Sequence, residues 1–245
     1  DYIAVFDPPG DSEALAFTED GEVCGYLRKV GKGKAILLGF KLRSFYYGAY
    51  EIPFLLSDIL RVAGAQKTVQ STNPEVQTVS RASEDYAYLF LFNGIVNKNV
   101  VSPFSQRQTY VWNPTKRTRI TYKLKNGDSV EFPNRMQDIS MPEGSALMLP
   151  VNYKIAENVV IKYATSEVLA TRLSDGRLEI KLQGPEGTRG EIALRIECEP
   201  TLAQTNEVPV RDEDRFWDSK ERTFYLTYDH RSHATTITLV MSNAG

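Results

Sequence analysis

Residues 25–40 read GYLRKVGKGKAILLGF, two apolar runs with a glycine- and lysine-rich tetrapeptide between them. Read as a phosphate cradle, GKGK would open a nucleotide-binding fold; read as a turn, it joins two strands. A phosphate loop keeps four residues between its first Gly and a Gly-Lys-Ser/Thr, whose hydroxyl holds the metal. Here five residues separate Gly25 from Gly31, and Lys34 is followed by Ala35. A dinucleotide fingerprint would need glycine at 36, where close helix packing demands it, and Ile36 stands there instead. Both motifs also place their strand before the glycines, whereas the continuous apolar run AILLGF follows them. The stretch therefore reads as a tight hairpin turn in which Gly supplies a positive φ.

Outward from this turn, Tyr2–Phe6, Ala14–Phe17, Val23–Val30 and Ala35–Phe40 read as strands separated by PPGD, EDGE and GKGK. An uninterrupted apolar run such as AILLGF predicts a strand covered on both faces. After the aromatic connection SFYYGAY, the stretch IPFLLSDILRVAGA places Leu55, Ile59, Val62 and Ala63 at helical spacing, with Pro53 in the first turn and Gly64 at the C-cap. Residues 1–66 thus read as a small α/β segment whose sheet needs cover from the sandwich, a second copy or missing chain. KTVQSTNP, 67–74, reads as a linker. From 75 to 245 the period becomes two: about eleven short strands follow, with Asn126-Gly127 and Asp175-Gly176 as hairpin signals. The expected class is α+β overall, an α/β segment followed by a mainly antiparallel β-sandwich.

Composition narrows the function classes. Of 245 residues, 42% are hydrophobic and 24% charged, the balance of a globular chain, and a net charge of −2 offers no general attraction for nucleic acid or an anionic membrane. No apolar run is long enough to span a bilayer. The chain lacks an initiator Met and enters a strand at once, which reads as a piece of a longer polypeptide. Cys24 and Cys198 lie in strand-like segments and are expected to be buried free thiols.

Motifs for chemistry fail one by one. An amidotransferase nucleophile elbow needs glycines flanking Cys24, and Glu22 and Tyr26 occupy those positions. A serine triad needs a histidine base; His230 and His233 are the two available, and neither Ser232 nor Ser242 sits in a strand–turn–helix context. In DHRSH, Asp229, His230 and His233 could chelate zinc if further ligands joined, but no third ligand cluster is visible, so they read as a polar hairpin loop, and no metal or cofactor is expected. The acids of RDEDRFWDSKER read as a solvated loop, not as a glycosidase carboxylate pair. Trp217 lies in this charged stretch. It reads either as a platform for a sugar ring, with Tyr225 and Tyr228 as neighbours, or with Phe216 as a plug for the sandwich. Trp112 alternates with Tyr110 and is expected in a core or interdomain contact.

These patterns resemble a known family. EALAFTEDGEVCGYLRKVGKGKAILLGF followed by FLLSDILRVAGA is similar to the close of the amidotransferase-like, flavodoxin-like domain of β-galactosidase-type glycoside hydrolases, and VSRASEDYAYLFLFNG to the strand pair that follows it. LMLPVNYKIAENVVIKYATSEVL and IKLQGPEGTRGEIAL resemble a β-domain of glycoside hydrolase family 35, through Tyr153, Tyr163, Ala164, Thr165, Glu167, Val168, Gly184, Gly187, Glu191, Ala193 and Leu194. In that family the catalytic glutamates lie on a preceding (β/α)₈ barrel, and no residue here matches a motif of it. The resemblance implies a non-catalytic accessory segment that braces a missing catalytic barrel, with galactoside-containing carbohydrate or a second copy of the chain as further partners. The alternative is an independent carbohydrate-binding β-sandwich module.

Overall fold

A computed structural model describes residues 3–40, 58–64, 67–102, 105–112 and 114–241, with the backbone alone over 95–102 and 105–112. The chain divides into two compact units, Asp1–Lys67 with Asn97–Thr109, and Thr68–Val96 with Tyr110–Gly245. The described residues are nearly all β.

In the first unit, β1 (Ser12–Phe17), β2 (Val23–Val30) and β3 (Gly33–Leu38) form an antiparallel sheet in chain order. Val30 pairs with Gly33, so Gly31 and Lys32 make a two-residue turn, and Gly31 has φ +57°. GKGK is a hairpin. The described strands of this sheet are therefore all antiparallel, since two residues can join only antiparallel neighbours, and they give no support to a flavodoxin-like sheet. Nor is β3 covered on both faces: Ala35 is exposed and Leu37 is 46% exposed. Residues 3–9, expected to include a strand, are irregular, yet the Ala4 N–H donates to Gly39 O at 2.7 Å and the Phe6 N–H to Val23 O at 2.8 Å. Residues 58–62 are helical, the Ala63 N–H donates to Ile59 O, and Gly64 follows with φ +85° as the expected cap. Pro53 and Leu55 lie outside the described residues.

The remaining strands are β4 (Val69–Ser71), β5 (Gln77–Ala82), β6 (Ala87–Phe92), β7 (Ile95–Ser102), β8 (Ser105–Trp112), β9 (Lys116–Thr118), β10 (Ile120–Lys123), β11 (Ser129–Phe132) and β12 (Ile139–Met141). They continue as β13 (Ala146–Ala156), β14 (Val159–Ala164), β15 (Glu167–Ser174), β16 (Arg177–Gln183), β17 (Arg189–Arg195), β18 (Leu202–Thr205), β19 (Val208–Pro209), β20 (Arg215–Asp218), β21 (Thr223–Asp229) and β22 (Thr235–Val240). β7 and β8 pair with each other; the side chains of Tyr110 and Trp112 are outside the described residues. The stretch read as a linker contains β4, which pairs with β10 and buries Val69.

The second unit is built on a seven-stranded sheet ordered β20-β21-β17-β14-β13-β6-β5. One face packs on the five-stranded sheet β15-β16-β22-β18-β19, through Ile161, Ile192, Leu194, Phe224 and Leu226 against Ile180, Leu182, Ile237 and Leu239. This is the expected sandwich. The other face is covered as well: Leu89, Leu149, Tyr163 and Ala193 pack with Ile120 and Phe132 of the small sheet β11-β10-β4, and with Ile139 and Met141 of β12, which pairs with β9.

Two neighbouring strands change faces together at the centre. Asn152 takes φ +54° between Val151, which packs on the small sheets, and Tyr153, which packs on the five-stranded side. Opposite them, the β14–β17 ladder shifts register between Ile161 and Tyr163. A bulge re-aims side chains in this way, so one strand supplies both cores. Asp175 and Gly176, both at positive φ, turn β15 into β16, as their dipeptide predicts.

Candidate functional site

In RFWD of β20, Phe216 pairs with Tyr225 and Trp217 with Phe224. Adjacent strand residues point to opposite faces. Trp217 therefore turns inward with Phe224 and packs on the five-stranded side, while Phe216 is 41% exposed on the other face. Tyr225 is half-buried beside it, with ring centroids 6.1 Å apart. Tyr228, three residues from Tyr225, falls on the inward face and is buried. Of the three aromatics proposed as platforms, Tyr228 is a core residue, while Trp217 and Tyr225 are both partly buried, Trp217 against the five-stranded side and Tyr225 against the small-sheet side; the exposed ring of the charged stretch is Phe216.

Phe216 and Tyr225 help to line a cleft of about 400 Å³, with Arg117, Arg135, Asp138 and Asp214 around them. Asp214 is 12% exposed and held by three donors: the Thr227 hydroxyl at 2.9 Å, the Arg211 guanidinium at 2.7 Å, and Arg189. Burial pushes its carboxyl up, but the Thr227, Arg211 and Arg189 donors outweigh that and hold it below the usual carboxylate range. Arg215 is paired with Asp212 at 2.6 Å. Arg135 is placed differently: its guanidinium lies over the Phe216 ring, 4.3 Å from the centroid.

The loop carrying Arg135 is fixed from below. On β17, Glu191 and Ala193 face the small sheets while Ile192 and Leu194 face the other core. The fully buried Glu191 carboxylate accepts the backbone N–H groups of Asn134 (2.7 Å), Arg135 (2.8 Å) and Met136 (2.7 Å), and the Tyr163 hydroxyl donates to it as well. Burial, then the Glu191 charge, raises the Tyr163 phenol far above its ordinary value, so it remains a donor. A buried carboxylate with four donors is a satisfied charge that ties one wall of the cleft to the central sheet.

A second polar cluster lies at the far end of β21. His230 is buried, with Ser166 Oγ 2.6 Å from its Nε2 and Thr188 Oγ1 2.8 Å from its Nδ1. Ser166 also meets the Tyr228 hydroxyl at 2.8 Å, and the Thr188 hydroxyl donates to Pro185 O at 2.6 Å. Because the Thr188 hydroxyl donates to Pro185 O, it accepts from His230 Nδ1–H; with a neutral ring, Nε2 then accepts from the Ser166 hydroxyl, which accepts from Tyr228 O–H. The imidazole is neutral in that arrangement. Burial lowers its pKa to about 4, against a smaller opposing pull from Asp229. The ring occupies the space where side chains at Gly184 and Gly190 would stand, so those glycines are required by close approach.

A Ser–His contact can be a nucleophile and its base. Here Ser166 is fully buried, and the partner on the far nitrogen is a threonine rather than a carboxylate, so the pair is a packing lock. DHRSH is accordingly corrected: His230 belongs to the core, whereas Asp229 and His233 are exposed. Among the described residues no group of three or more His, Cys, Asp or Glu could hold a metal ion. Cys24 is a buried free thiol, as expected, whereas Cys198 is only partly buried.

No family model matches the chain. It is 29% identical over 83 residues to a beta-1,2-glucosyltransferase of Ignavibacterium album, covering 34% of this chain and 11% of that protein. It is 28% identical over 185 residues to an exo-beta-D-glucosaminidase of Pyrococcus horikoshii, covering 75% of this chain and 19% of that protein. The chain therefore spans less than a fifth of the length of either curated relative, and it is a β-rich segment distantly related to parts of a glucosyltransferase and a glucosaminidase.

Proposed function

We propose that this chain is a non-catalytic accessory segment of a glycoside-processing enzyme of the β-galactosidase type, similar to family 35. It would brace a catalytic barrel elsewhere in the polypeptide and contribute to subunit contacts. The observation that carries this reading is the match of three quarters of the chain to only 19% of a much longer glucosaminidase. The cleft chemistry agrees with it. A glycosidase needs a carboxylic acid whose pKa is raised so that it can protonate the leaving group. The largely buried carboxylate of the cleft, Asp214, is shifted the other way and tied up by Thr227 and two arginines. Contact with carbohydrate is a second role, supported by the exposed Phe216 and the half-buried Tyr225 in a polar cleft.

The test is turnover of nitrophenyl β-galactoside, β-glucoside and β-glucosaminide by the purified chain. No release above the uncatalysed rate is expected. Release that scales with protein and survives repurification would refute the accessory reading.

A further inference from the structure

We propose that the cleft bounded by Arg117, Arg135, Phe216 and Tyr225 is a subsite for a saccharide carrying an anionic group, with Arg135 as its principal ligand. This deepens the saccharide-contact reading and rests on it.

The argument is an accounting of charge. Four arginines line the cleft, together with Asp138, Glu213 and Asp214. Arg189 is paired with Asp214 and Asp229, and Arg215 with Asp212, while Glu213 is paired with Arg211 from outside the lining. Arg117 and Arg135 have no carboxylate within 4 Å among the described residues, and Asp138 joins neither of them. Two guanidinium groups in one cleft are thus left without an anion.

Their placement suits an oxyanion. The Arg135 guanidinium carbon lies over the Phe216 ring, and the guanidinium N–H donors have no hydrogen-bond partner among the described residues. A guanidinium with its donors unengaged can fork a carboxylate or sulfate with two parallel hydrogen bonds. Its backbone is already fixed, because the Arg135 N–H and its neighbours on both sides are bonded to buried Glu191. Less ordering is then left for the ligand to impose. Tyr225 supplies a neighbouring hydroxyl and ring; burial, then Asp218 and Glu191, raise its phenol pKa, so it stays a neutral donor. A neutral sugar would use the ring and hydroxyls and leave both arginines unanswered. A uronic acid answers them.

The experiment is calorimetric titration of the full chain with a glucuronate-containing disaccharide, with its neutral glucose counterpart of the same linkage, and with sodium sulfate. The expected result is that the acidic disaccharide binds about tenfold or more tightly than the neutral one, the scale of a charge-assisted bidentate contact. Arg135→Gln should abolish that difference, and R135K should fail to restore it because an ammonium cannot fork. Arg135 is exposed and only its main chain is held, so these variants keep the fold. The exposed Arg231, outside the cleft, is the control for diffuse charge, and R231Q should bind as the parent does. Equal affinity for the acidic and neutral sugars would overturn the anion subsite and leave saccharide contact standing. Sulfate binding as tightly as the acidic sugar, or an equal loss in R231Q, would overturn the saccharide subsite in favour of a plain charge effect. Binding of none of the three would overturn this proposal together with saccharide contact. Failure of the accessory reading is a separate result, namely turnover.

Discussion

His230 makes the stability of the second unit depend on acid in a way that can be worked out from its surroundings. Its Nε2 accepts from Ser166 and its Nδ1 donates to Thr188. A second proton on the ring would turn Nε2 into a donor to Ser166, and one hydroxyl proton of the buried chain, on Ser166 or Tyr228, would be left without its acceptor. Desolvation works in the same direction, and the native pKa falls from 6.5 to about 4. The sign follows. The unfolded chain takes up the proton first, so the stabilisation is complete above about pH 6.5 and is lost as pH falls towards the native value. At about 1.36 kcal/mol per unit, the loss is about 2 kcal/mol at pH 5 and approaches about 3 kcal/mol near pH 4. Urea unfolding from pH 7.5 downward, compared with His230→Asn, isolates this share from the titration of surface acids. His233 is the second of the two histidines and is exposed, so in the H233Q variant the remaining imidazole resonance reports His230 directly. A native His230 titrating within about half a unit of 6.5, or a slope of stability with pH identical to that of H230N, would refute the reasoning.

Glu191→Ala leaves the Asn134, Arg135 and Met136 N–H groups and the Tyr163 hydroxyl without their acceptor; at about 1–3 kcal/mol per orphaned buried donor, urea unfolding should show a loss of at least about 3 kcal/mol. Glu191→Gln, which keeps the volume and one acceptor oxygen, should fall between the two. Gly184→Ala should cost about 1–3 kcal/mol because its methyl meets the His230 ring, and the same change in a His230→Ala background should cost much less, since the space is then vacant. Equal penalties in both backgrounds would show that the ring is not what excludes the methyl group.

Strand placement was legible in the sequence because it is local. Ser129–Phe132 and Val159–Ala164 are found as read, and Gly31, Gly127 and Asp175-Gly176 turn where the residue types demand it. Alternation also held more than it was asked for. Phe216 and Trp217 are adjacent in a strand, and Tyr225 and Tyr228 are three apart, so neither pair could share a face. What alternation does not reveal is which face meets solvent, because here both faces of the central sheet are covered by other strands.

The order of strands in the large sheets and the second core on β4 and β9–β12 came from tertiary structure alone. So did the site. Glu191 lies 57 residues from Asn134, and Ser166 lies 64 from His230, so no spacing rule links them. Gly184, Gly187 and Glu191 were visible as a pattern of residue types, but the imidazole that fills the space above Gly184 and the loop that the carboxylate holds were not. By itself the sequence determined the local preferences, a turn where φ must be positive and a strand where apolar residues alternate. Burial and charge pairing were decided by what distant strands place opposite one another, because desolvation and hydrogen bonding depend on neighbours in space.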